Sequence, residues 1–204
     1  MSVQTRSVRL GFTDELFPAS THMCYIFKDE QERKNIIAKF MKSGADSKER
    51  ISYFADRISK EELCHCLSDL GIDAEALAHN GQLLCDLAET VYCPDSHFCA
   101  CRMLSKLGQA YQKSLDDGFV GLRVSGEMDW VLAAEDRIQE LLIYEAQVND
   151  LIEIYPTTAI CQYDANKFDA SLLHQVLEVH PFMVVRGQVV CNPYYVRSAE
   201  LSGC

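Results

Sequence analysis

"CYIFKDEQERKNII", residues 24–37, passes from a short apolar run straight into a charged stretch with helical spacing. An apolar segment of strand length that feeds an amphipathic helix is the opening half of a βαβ unit. In many α/β domains the turn between the two carries glycines, whose backbone N–H groups wrap a phosphate. This turn has none. Lys28, Asp29 and Glu30 stand there instead, and the two acids suit the positive end of a helix dipole, taking the place of an anion. The nearest phosphate-loop spacing elsewhere, "GLRVSGEM" from Gly121 to Met128, puts Glu127 where a lysine would stand and lies in a strand and its exit. Nucleotide binding is therefore not expected.

The same alternation runs along the chain. "HMCYIF" (22–27), "RISYFA" (50–55), "QLLCDLA" (82–88), "FVGLRVS" (119–125) and "TAICQY" (158–163) have strand length and are mostly apolar, as strands covered on both faces are. Helical patterns fall at 29–43, 59–70, 97–116, 135–153 and 169–179. The expected fold class is α/β, a mostly parallel central sheet with helices on both faces. "FMVVRGQVVCNPYY" turns at Arg186-Gly187 and closes the chain with a β-hairpin. Ser59 with Glu62 makes a capping box, Asp169 or Ser171 caps the last helix, and Pro181 ends it. Gly44, Gly71 and Gly118 read as residues just past helix ends. One domain, 21–204, preceded by an extension over 1–20, is the simplest organisation.

Composition narrows the function classes. With 204 residues, 48% hydrophobic and 24% charged, the chain is an ordinary globular sequence. Its net charge of -11, with twelve acids against four bases from Gly126 onward, excludes direct nucleic-acid binding, which needs Lys and Arg against phosphates. No signal peptide and no bilayer-length apolar run is legible, so a cytoplasmic location is expected. There the 10 cysteines are thiols, ligands or redox groups rather than disulfides.

"HMCYIFKDEQERKNIIAKFMKSG", "GFVGLRVSGEMDW", "LLIYEAQVND", "AICQYDANKFDASLLHQVLEVHP" and "VVRGQVVCNPYY", in that order from His22 to Tyr195, resemble the MEDS domain, the sensory domain of methanogens and methylotrophs of the DcmR type. The resemblance implies a RecA/KaiC-like fold without a phosphate-binding loop and a role in sensing small hydrocarbon derivatives or one-carbon compounds. Family members often carry a helix-turn-helix or signalling module; none is legible here, which implies output through a regulatory protein partner. In a nucleotide-hydrolysing relative Asp164 would occupy the place of a magnesium-binding acid.

Residues matching the family blocks also fall at carboxyl ends of strands, where α/β sheets bind ligands. These are Lys28 and Asp29 after the first strand, Glu127, Asp129 and Trp130 after "GLRVSGE", and Tyr163 and Asp164 after "TAICQY". Taken singly, each has a plainer reading: the acids as caps and Trp130 as core. Glu145 interrupts the apolar stripe of Ile138, Leu141, Leu142, Val148, Leu151 and Ile152, so it faces the core and must be paired, hydrogen-bonded or protonated.

The cysteines supply an alternative function, a metal-binding or thiol-based redox sensor. "CHC" (Cys64, His65, Cys66) and "CPDSHFCAC" (Cys93, His97, Cys99, Cys101) hold the ligand types for zinc or an iron–sulfur cluster. Against this, residues two apart on a helix diverge and neither segment has CxxC spacing. His22, His174 and His180 read as surface or core residues, and no nucleophile–base motif marks an enzyme. The leading expectation is a sensory module with a small-molecule ligand and a protein partner, no membrane contact, and homo-oligomerisation left open.

Overall fold

The computed structural model describes residues 6–56 and 59–197. A small antiparallel hairpin comes first, β1 (Ser7–Arg9) with β2 (Leu16–Pro18). β3 (His22–Phe27) then enters the main sheet and runs into α1 (Glu30–Asp46). After β4 (Arg50–Ala55) follow α2 (Lys60–Asp69), α3 (Ala74–His79), β5 (Leu83–Leu87), α4 (Ala88–Tyr92) and α5 (Ala100–Asp116). β6 (Leu122–Glu127), a 3-10 turn at Asp129–Ala133, α6 (Glu135–Ile154), β7 (Thr157–Asp164) and α7 (Ala170–Val179) lead to the closing hairpin, β8 (Phe182–Val185) and β9 (Gln188–Cys191).

The seven-stranded sheet has the order β5-β4-β6-β7-β3-β8-β9, parallel except for β9. All of β6 and β7 is buried, as strands covered on both faces are, and their polar residues Arg123, Glu127, Gln162 and Asp164 are buried with them. Strand alternation divides their side chains between two cores. Met23, Tyr25 and Phe27 pack with α1, α2, α3 and the β1–β2 hairpin on one face; Cys24, Cys161 and Tyr163 pack with α4, α5, α6 and α7 on the other. At the closing hairpin Arg186 (φ 49) and Gly187 (φ 71) both adopt the left-handed conformation that a two-residue turn of this hand requires.

Several local expectations change. The segment read as an N-terminal extension contributes buried Val8, Leu10, Phe17 and Ala19 to the α1-side core. It is tied there by Arg123, whose Nη2 donates to Arg9 O at 2.9 Å while Nη1 donates to Phe40 O at 2.7 Å and Nε to Glu49 Oε2 at 2.7 Å. Gly44 lies inside α1 rather than past its end: a Cβ there would stand 2.8 Å from Arg123 Cδ, so close packing and not chain reversal calls for glycine. Gly71 (φ 75) and Gly118 (φ 89) do occupy left-handed turns. The sixth strand starts at Leu122, because Gly118 to Gly121 is spent returning from α5, with Val120 N donating to Lys48 O. Among the described residues no helix is long and apolar enough to cross a membrane.

Candidate functional site

At the β3–α1 turn the protein's own carboxylates satisfy the helix. Asp29 is the N-cap, its Oδ1 accepting from Glu32 N at 2.6 Å. One turn later Arg33 points inward and is fully buried. Its Nη1 donates to Glu127 Oε1 at 2.7 Å and Gln162 Oε1 at 2.9 Å, and its Nε donates to Glu30 Oε2 at 3.0 Å. The Tyr53 hydroxyl donates to Glu127 as well, and Glu127 Oε2 accepts from Asp56 N at 2.8 Å. Burial opposes the Arg33 charge, but the bond to Glu30 and the proximity of Tyr53 and Glu127 outweigh it, so the guanidinium stays charged. Glu127 therefore lies behind the turn as the counter-ion of Arg33.

A second network occupies the other face of the sheet. Glu145, from the middle of α6, is fully buried, as its place in an apolar stripe requires. Its Oε1 accepts from the Tyr163 hydroxyl at 2.9 Å. Around Oε2 lie His22 Nε2 at 3.0 Å, His180 Nε2 at 3.5 Å and Cys161 Sγ at 3.5 Å. Burial works against the Glu145 charge, yet the interactions with His180 and His22 hold its carboxyl below the usual range. Burial pushes His180 down and the Cys161 thiol well up.

The remaining predicted residues separate. Trp130 is a core residue, stacked on Tyr92 with ring centroids 4.7 Å apart and tilted against Phe98. Asp129 pairs with Lys167 at 2.5 Å. Asp164 closes its own turn, accepting from Asn166 N at 2.9 Å. Lys28 and Asp164 share a cleft of about 390 Å³ with Phe27, Glu30 and Asn166. Phe27, Lys28 and Asp29 also border a neighbouring cleft of about 400 Å³ on the β8 side, where Tyr25, Leu177 and Met183 form part of the wall. Tyr25 is 3% exposed, and its hydroxyl has no hydrogen-bond partner among the described residues. The sequence reading missed Tyr25 because alternation alone marks it as core.

The two cysteine segments lie on opposite faces of the sheet. Cys64 and Cys66 on α2 pack against the α1-side core, whereas Cys93 belongs to the other core, Cys99 is the residue before α5, and Cys101 is exposed. His65 faces Asp69 on the surface at 3.8 Å. Cys64, Cys66, Cys93, His97, Cys99 and Cys101 are thus not gathered into one ligand set. Among the described residues, the one group of such side chains whose donor atoms all lie within 4.8 Å of one another is His22, Glu145, Cys161 and His180. Of these only Glu145 was singled out from sequence. The available signal was β alternation, which places His22 with Cys24 and Cys161 with Tyr163 on one side of two strands.

Known proteins agree with this architecture. A KaiC-like protein from Pyrococcus horikoshii superposes with a TM-score of 0.62 at 14% identity, over 88% of this chain and 79% of that one. The flagellar accessory protein FlaH from Methanocaldococcus jannaschii gives 0.62 at 9% identity, over 91% and 84%. At such identities the likeness is one of fold, and the RecA/KaiC-like class holds. In sequence the chain is 23% identical over 160 residues to the transcriptional repressor DcmR of Methylorubrum extorquens, covering 78% of this chain and 57% of the repressor. The chain therefore matches little more than half the length of that relative. The family model for MEDS, the methanogen/methylotroph DcmR sensory domain, matches residues 21–181, and the chain belongs to this family of sensory domains.

Proposed function

We propose that this chain is a sensory module that binds a small organic molecule where β3 meets β7 and β8, and that it passes its occupancy to a regulatory protein partner. The observation that carries this reading is a cleft of about 400 Å³ lined by Tyr25, Ile26, Leu177, Met183 and Val184, with the Tyr25 hydroxyl buried and unpartnered among the described residues just behind it, so that a ligand reaches it by a small shift of the ring. An apolar floor of Ile26, Leu177, Met183 and Val184, rimmed by Lys28, Asp29, Glu32 and Arg186, suits a small molecule with a short hydrocarbon part and a polar end. The location supports it too. β3 sends α1 over one face of the sheet and β7 sends α7 over the other, so the chain reverses direction at the adjoining β3–β7 cleft, one strand away, and open α/β sheets bind ligands at such points.

Lys28 and Asp29 border this cleft and Asp164 lines the adjoining one, while Glu127, Glu145 and Tyr163 are buried in the two networks described above. The module is not an enzyme on this reading, because Asp29 and the Arg33–Glu127 pair occupy the turn and the space behind it that a phosphate and its metal would need. A one-carbon compound or other hydrocarbon derivative is the ligand class, in keeping with the family. Occupancy favours one arrangement of the "GEMDW" and "QYDANKFD" loops, and the acidic carboxyl-terminal half attracts a basic surface on the partner.

A thermal-shift screen with methanol, methylamine, dichloromethane and their short homologues, on the wild-type chain and on Tyr25→Phe, tests this. One class should stabilise saturably, with affinity reduced about 5-fold in the variant, the loss of roughly 1 kcal/mol of hydrogen bonding. Stabilisation by none, or equal binding by Tyr25→Phe, contradicts it.

A further inference from the structure

The cluster around Glu145 is matched only when a proton or a cation sits between the two imidazole Nε2 atoms and the carboxylate. His180 Nδ1 lies 2.7 Å from the Val176 carbonyl oxygen, which only accepts, so Nδ1 carries the proton. His22 Nδ1 lies 3.0 Å from Asn149 Oδ1. The Asn149 amide nitrogen donates to the Glu145, Ala146 and Val179 carbonyls, which fixes its Oδ1 as an acceptor and places the His22 proton on Nδ1 as well. In their neutral forms both rings therefore direct Nε2 lone pairs at a carboxylate oxygen. His180 Nε2 has no hydrogen-bond partner among the described residues. The Tyr163 hydroxyl holds Glu145 Oε1, leaving Oε2 turned toward the two rings and the Cys161 sulfur. Electron-rich atoms converge here in a place where burial makes an unmatched arrangement costly.

We propose that His22, Glu145, Cys161 and His180 form a buried four-ligand site for a divalent late first-row transition-metal ion, with zinc the best chemical match. Metal–ligand bonds of about 2.0–2.1 Å to nitrogen and oxygen and about 2.3 Å to sulfur give a tetrahedron with edges of roughly 3.3–3.7 Å. Three of the six separations are 3.0 Å from His22 Nε2 to Glu145 Oε2 and 3.5 Å from Glu145 Oε2 to both His180 Nε2 and Cys161 Sγ, and all six lie within 4.8 Å, so the ligands would draw in on binding. Cys161 Sγ to His22 Nε2 is also 3.5 Å. The outer partners match the pattern of metal-bound histidines, each of which gives its other N–H to an oxygen. On binding, the Cys161 S–H bond breaks, its proton leaves to solvent, and the sulfur lone pair forms the bond to the ion. The four ligands come from β3, α6, β7 and the residue after α7, so the ion would pin together the elements behind the proposed ligand cleft.

The test is a cobalt(II) titration of the full chain, first treated with chelator, followed by zinc competition. Expected are one equivalent per chain, tetrahedral visible bands with a thiolate charge-transfer band, and release of one proton. A variant with Cys64→Ser, Cys66→Ser, Cys99→Ser and Cys101→Ser should keep all of these. Cys161→Ser should lose the thiolate band, and Asn149→Ala should bind about 10–100-fold more weakly. If Cys161→Ser fails to fold, the four-serine variant decides alone. Loss of the band in that variant, retention of it in folded Cys161→Ser, or no tetrahedral cobalt in the wild type overturns the proposal. The small-molecule screen on Tyr25→Phe is read separately, so either conclusion can fail without the other.

Discussion

Gln162 and Tyr163 are neighbours on β7, yet their side chains enter separate buried networks on opposite faces of the sheet. Gln162 Oε1 accepts from Arg33 at 2.9 Å, and the Tyr163 hydroxyl donates to Glu145 at 2.9 Å. Strand alternation produces the division. Since β7 pairs with both β3 and β6, a shift of this one strand is felt by the counter-ion of Arg33 and by the histidines around Glu145.

The Arg33–Glu127 pair should show the energetics of a buried ion pair. Glu127→Ala leaves a guanidinium in the interior with the half-exposed Glu30 as its carboxylate partner among the described residues, and is expected to cost about 3–5 kcal/mol in urea unfolding. Arg33→Met combined with Glu127→Met should be far milder than the two single losses added together, because no uncompensated charge remains. Additive losses would show that the pair is not coupled.

Gly44→Ala sets helix propensity against packing. Alanine favours a helix interior by up to about 1 kcal/mol over glycine. The new Cβ, however, would stand 2.8 Å from Arg123 Cδ and 2.9 Å from its Nε, on a side chain held by Glu49, Phe40 and Arg9. Net destabilisation of about 1–3 kcal/mol, as for an overpacked core, is expected in denaturant titration. A stabilised variant would mean that Arg123 can move aside freely.

Thiol labelling should follow burial. Cys101 and Cys191 are exposed, while Cys24, Cys93 and Cys161 are buried. Burial pushes the Cys24 thiol up to about 12 and the Cys161 thiol well above its ordinary value, so neither is a ready nucleophile at pH 8. Among the described cysteines, timed alkylation read by peptide mass spectrometry should label Cys101 and Cys191 first, and Cys24 and Cys161 only on unfolding. Early labelling of Cys161 would show that its site opens readily.

Much of the fold was legible because short β-rich runs such as His22–Phe27 and Arg50–Ala55, buried on both faces, alternate with helical patterns. The closing hairpin was legible from Arg186-Gly187, since few sequences tolerate two successive left-handed residues. Gly44 was misread because its cause is tertiary: Arg123 arrives from a strand far along the chain. In the site, Glu145 stood out by breaking an apolar stripe, but its partners come from separate elements and no spacing links them. Arg33 carried a signal that went unused. It precedes Ile36 and Ile37 by one helical turn and so shares their buried face.

The proposed small-molecule site at Tyr25 is tested most directly by NMR spectra of the tyrosine-labelled chain, with Tyr25→Phe identifying the Tyr25 resonance. The compound that stabilises the protein should shift that resonance saturably, and magnesium-ATP should leave it in place. Movement with magnesium-ATP, or an unmoved Tyr25 in the presence of a stabilising compound, would contradict the assignment of this mouth as the sensory site.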